Sequence, residues 1–131
     1  MEEIYTNKEM ANHMANCVLI GGHLYGIHGN THGAGTKDLR CMEFATGKVA
    51  WTKEGFGVGS LIGASAGEHL LVLGESGELA AVKTDPQKFA ELSRTQASSG
   101  KNWTNPVLAN GRIYCRNAAG DLSCLNANAG E

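Results

Sequence analysis

The sequence predicts an all-β fold of three four-stranded propeller blades. Three observations carry this expectation: an internal repeat, the length of its period, and the turn residues that punctuate it. The stretch Asn16-Cys17-Val18-Leu19-Ile20-Gly21-Gly22-His23-Leu24-Tyr25 lines up with Asn105-Pro106-Val107-Leu108-Ala109-Asn110-Gly111-Arg112-Ile113-Tyr114. Each copy then reaches a second match, Asp38-Leu39-Arg40-Cys41-Met42 against Asp121-Leu122-Ser123-Cys124-Leu125. A degenerate copy lies midway, where residues 70–79 match residues 113–122. The step between units is about 40–45 residues, and short strands and tight turns repeating at that length make a propeller blade. Eighteen glycines against two prolines suit many tight turns rather than helices.

Alternation and turn chemistry place the strands in order. The first blade, residues 15–54, takes strands at 17–20, 23–28, 39–44 and 48–52, with turns at Gly21-Gly22 and Thr46-Gly47. A loop over 29–37 is inserted between its second and third strands. The second blade, residues 58–97, takes strands at 60–63, 69–74, 78–83 and 87–96. The last of these has a helix-like composition but holds the outer-strand place in the repeat. The third blade, residues 104–131, takes strands at 107–109, 112–117 and 122–126 and lacks an outermost one. Residues 3–8 stand ahead of the first unit as 48–52 stand ahead of the second. The head of the chain, 1–8, is therefore expected to be the outer strand that completes the last blade, within a single domain over 1–131.

The segment Leu39-Arg40-Cys41-Met42-Glu43-Phe44-Ala45-Thr46-Gly47-Lys48-Val49-Ala50-Trp51 resembles the repeat of the quinoprotein (PQQ-like) β-propellers. Thr46, Gly47, Lys48 and Trp51 keep that family's phrase, and Glu43 stands where Asp is usual. Asn128-Ala129-Gly130-Glu131 keeps a trace of it. The resemblance extends over almost the whole chain and is closest to the C-terminal blades of a larger, non-catalytic PQQ-like repeat protein. It implies that Thr46-Gly47 makes a turn and that Trp51 docks between neighbouring blades.

The family holds quinoprotein dehydrogenases and also cofactor-free scaffolds such as the outer-membrane assembly lipoprotein, so the fold alone does not name an activity. The enzymes resemble one another in an adjacent cysteine pair over the quinone, a Trp beneath it and a Glu/Asn/Asp set holding calcium. This chain has no adjacent cysteine pair. No cofactor residue is carried over, and no cofactor is expected. The resemblance implies a non-catalytic module for protein–protein interaction, scaffolding or self-assembly. The alternative is a remnant or subunit of a quinoprotein-type oxidoreductase that binds a quinone or metal only when further blades complete it.

One stretch looks like a site. The loop His28-Gly29-Asn30-Thr31-His32-Gly33-Ala34-Gly35-Thr36-Lys37-Asp38 is rich in glycine and donors. It fails as a phosphate cradle, because a Walker loop ends in Gly-Lys-Ser/Thr and leads into a helix. Its glycines read as turn residues. His28, His32 and Asp38 carry enough donors for a metal ion, but i,i+4 histidines share a face only on a helix. No nucleophile elbow or ordered Cys/His/Asn set is present. Glu75, Glu78, Asp85 and Asp121 sit at turns and strand starts, where acids are solvated. Trp51, Trp103, Tyr5, Tyr25 and Tyr114 are read as packing residues between blades.

Bulk properties narrow the partners. A net charge of −2, with Lys and Arg scattered singly, offers no clustered basic face to nucleic acid. No leader-like or membrane-spanning apolar run appears, which makes a cytoplasmic location the default expectation. Cys17, Cys41, Cys115 and Cys124 lack a CxxC spacing and read as buried thiols, with two disulfides as the alternative in a secreted chain. Three blades form an open arc, whereas closure takes typically four to eight. Two copies together reach that range. The expected partner is a second copy, closing a six-bladed ring about a two-fold axis. The 1–8 strand would then be exchanged between copies, with Ile4 and Tyr5 packed at each junction.

Overall fold

Hairpins closed by glycine build the first unit. The computed structural model describes residues 1–128. Strands β1 (Val18–Ile20), β2 (His23–His28), β3 (Asp38–Glu43) and β4 (Val49–Glu54) pair antiparallel in that order. Gly21 and Gly22 turn β1 into β2 with φ of 55° and 77°, a region where a side chain would be strained. The second sheet repeats the arrangement with β5 (Ser60–Ala64), β6 (His69–Leu73), β7 (Glu78–Lys83) and β8 (Glu91–Gln96). The third holds β9 (Val107–Ala109), β10 (Arg112–Arg116) and β11 (Leu122–Asn126). A short 3-10 turn at Ser65–Gly67 is the only helical element among the described residues. The all-β expectation of three antiparallel sheets is met.

The sheets stack like the blades of a fan. β5 touches both β1 and β2, and the first strands of all three sheets line one open groove through Val18, Leu19, Ile62 and Leu108. Alternation along β6 explains how the middle sheet serves two neighbours. Leu70 and Val72 join the core shared with the first sheet, while Leu71 and Leu73 join the core shared with the third. In β7, Ala80 and Val82 face the first sheet and Leu79 and Ala81 the third. Strand β8 is exposed at every residue, so its polar, helix-like composition is that of a solvated outer strand. It starts at Glu91 rather than residue 87, after a bend that follows Asp85-Pro86.

Within the single chain residues 3–8 form no strand and Ile4 is 86% exposed. One expectation changes: the thiols are not uniformly buried. All four are free, with Cys41 and Cys115 buried, Cys17 half-buried and Cys124 exposed. Of the trace at residues 128–131, positions 129–131 lie outside the described residues.

Candidate interaction surface

The face that the first sheet turns toward the second carries residue types that recur on the third sheet. In the first sheet Tyr25, Leu39 and Cys41, with Val18 beside them, pack on Phe56, Leu61, Leu70, Val72, Ala80 and Val82 of the second unit. Pairing across the strands fixes this set, since Val18 stands opposite Tyr25 and Tyr25 opposite Cys41. The third sheet repeats the set as Val107, Tyr114, Leu122 and Cys124, with Val107 opposite Tyr114 and Tyr114 opposite Cys124. Here nothing covers it among the described residues. Leu39 is 0% exposed, whereas Leu122 is 66% and Val107 55% exposed. Burying such side chains is worth roughly 1.5–3 kcal/mol each.

Trp51 shows what holds a covered junction. Its ring sits 6.1 Å from Tyr25 and 5.9 Å from Phe89, in tilted and edge-on contacts. Its indole N–H donates to the Asp85 carbonyl of the next unit at 2.8 Å. Burial pushes both the Tyr25 phenol and the Cys41 thiol above their ordinary ranges. Neither is poised for chemistry at neutral pH.

The turn ahead of Trp51 explains the Glu43 substitution. Gly47 donates its N–H to the Glu43 carbonyl at 2.9 Å, with φ of 72°. The Thr46 hydroxyl donates to the Glu43 carboxylate, so the glutamate serves the turn directly. Trp103 plays a linking part. Its indole N–H donates to Glu75 Oε1 at 3.3 Å, and Glu75 Oε2 accepts the Val58 N–H at 3.1 Å. Glu75 thereby ties two inter-blade connectors together.

The candidate donors of the glycine-rich loop are not gathered into one group of three among the described residues. His28 and Asp38 stand opposite each other across β2 and β3, but His32 lies away on the loop, 6.4 Å from the ring of His13. Asp38, 2% exposed, is held by the Arg40 guanidinium, which also donates to Glu9 at 2.9 Å. His28 Nδ1 accepts the Ala11 N–H at 3.2 Å. Among the described residues no group of three or more His, Cys, Asp or Glu is placed to hold a metal ion.

Burial alone would raise the Asp38 pKa. The Arg40 and Thr36 hydrogen bonds and the nearby Arg40 and His28 charges outweigh it and lower the pKa. Its contribution to stability is thus complete above the unfolded aspartate value near ~3.9 and is lost as pH falls through the lower folded value. Asp38→Asn is expected to make acid unfolding shallower below about pH 4. Parallel acid titrations of the two proteins by circular dichroism check this, and identical acid limbs would refute it.

Residues 9–13 carry no repeat or turn signal of their own, yet they contribute to the first unit. They lie across the outer face of the first sheet, where Asn12 donates to the Ile27 carbonyl at 3.0 Å. A side chain at Gly26 would come within 2.8 Å of Met10 Sδ. A glycine inside a strand marks such a close approach, and that was the available signal.

No protein-family model matches the chain, and no curated protein matches it. Among solved structures it is similar to BamB from Moraxella catarrhalis, with a TM-score of 0.57 and 20% identity over 82% of this chain. The fold is an arc of a propeller. The arc spans 30% of the length of the BamB chain, and the likeness is one of fold. Among the described residues no helix is long and apolar enough to cross a membrane.

Proposed function

We propose that this arc is a non-catalytic, PQQ-like repeat module for protein–protein association, and that its partner is a second copy. One observation carries the reading: the uncovered Val107, Tyr114, Leu122 and Cys124 repeat the Val18, Tyr25, Leu39 and Cys41 face that binds a blade. A blade is therefore the shape this face fits. The first sheet of a second copy offers Leu19, 53% exposed, and the half-buried Leu24 on its outer side. Two arcs joined this way make two like junctions and reach six blades, within the closing range of about four to eight.

Light scattering at micromolar concentration should give twice the chain mass. Leu122→Glu should weaken the association at least about tenfold, because it places a charge in an apolar junction. Its melting temperature measured as a monomer should stay unchanged, since Leu122 is exposed within the single chain. A parent chain that is monomeric, or a Leu122→Glu variant that dimerises as tightly as the parent, would overturn the reading.

A further inference from the structure

The N-terminal segment makes, on the first sheet, the contacts that an outer strand makes on the unit after it. Trp51 of β4 donates to a carbonyl in the turn between β7 and β8. Tyr5 likewise donates its hydroxyl to the Phe44 carbonyl, beside the turn between β3 and β4, at 2.6 Å. Asn7 adds a bond to the Gly47 carbonyl at 3.0 Å. The close fit needs Gly47, since a side chain there would meet the Tyr5 ring at 2.9 Å.

The connectors repeat as well. The Phe56 carbonyl accepts the Glu75 N–H at 2.9 Å, and the Lys101 carbonyl accepts the Ala118 N–H at 2.7 Å. The Ala11 carbonyl accepts the Gly29 N–H at 3.1 Å in the same place. Residues 5–11 therefore occupy the position of an outer strand and its connector, with no sheet alongside. At the other end of the arc the situation is reversed. β11 has no strand on its outer side among the described residues, while its counterparts β3 and β7 pair with β4 and β8.

We propose that residues 3–8 of a second copy form the fourth strand on β11, with Tyr5 opposite Cys124 as Trp51 stands opposite Cys41. The inference rests on the dimer reading above and names the segment that seals each junction. The backbone of the segment would pair with one copy, and its Tyr5 and Asn7 side chains would stay anchored on their own first sheet. This is strand addition to an open sheet edge, with affinity from main-chain hydrogen bonds and register from an aromatic anchor.

The pairing is testable through a native thiol. Directly opposed residues of an antiparallel pair lie about 4.5–5.5 Å apart at Cα, within disulfide reach. Mild oxidation of a Tyr5→Cys variant should give a covalent dimer on a non-reducing gel. Adding Cys124→Ser should abolish that band. Deleting residues 1–8 should weaken dimerisation at least about tenfold. A dimeric Tyr5→Cys variant that forms no cross-link overturns the pairing, as does a truncated chain that dimerises as tightly as the parent. Either result leaves the face-to-face dimer standing, whereas a monomeric parent overturns both.

Discussion

Trp51→Ala is expected to cost about 3 kcal/mol, the lower end of the range for removing a large aromatic, because the ring is half-buried. The loss has two parts. One is the packing of the indole against Tyr25 and Phe89. The other is the hydrogen bond to the Asp85 carbonyl, which ties the outer strand of one blade to the next. Trp51→Phe separates them, since it keeps most of the packing and gives up a bond worth about 0.5–1.5 kcal/mol. With each kcal/mol worth at least about 2 °C in a domain of this size, the Ala variant should melt at least about 6 °C lower. Thermal denaturation followed by circular dichroism measures both variants. An Ala variant that melts within about 2 °C of the parent would show that Trp51 does not hold the junction.

Gly77→Ala should be comparably damaging for a different reason. Gly77 closes the turn between β6 and β7 with φ of 90°. An added Cβ there would strike the Ser98 carbonyl and lie 3.1 Å from Asn102 Nδ2. The left-handed conformation costs roughly 1–2 kcal/mol for any L side chain. Displacing Ser98 also breaks the bonds that Ala97 and Ser98 donate to the Gly77 carbonyl at 2.9 and 3.1 Å. Together these give roughly 2–5 kcal/mol. Gly120→Ala is the control. Its φ is 96°, but its nearest neighbour is Arg116 Nη2 at 4.0 Å, so only the conformational part applies. Urea titrations should therefore rank Gly77→Ala well below Gly120→Ala in stability, and equal losses would mean that the Ser98 contact yields freely.

The blade pattern was legible because it rests on short-range chemistry. Gly21-Gly22 and Thr46-Gly47 announce their hairpins, and the continuous apolar run Leu70-Leu71-Val72-Leu73 announces a strand buried on both faces. Strand β8 was harder, since a fully solvated outer strand has no apolar alternation to show and only its place in the repeat betrays it. Residues 3–8 hold the place of a strand in the repeat, and within the single chain they form none, since a strand needs a partner edge. The likeness between the covered and uncovered faces could be read only with the sheets in hand. Leu39 and Leu122 look equivalent in the sequence, and burial alone tells them apart.

The doubly buried middle sheet has a consequence for how the arc assembles. In a stack of repeats each unit gains stability only from its immediate neighbours. The second blade shares a core with both of the others, through Leu70 and Val72 on one side and Leu71 and Leu73 on the other. The end blades have one such neighbour each. Within the single chain, contacts on either side of the middle blade are expected to form outward from a common centre. Local opening would begin at the flanks and reach residues 69–73 last, so the arc behaves as one cooperative unit although its three sheets share no strand.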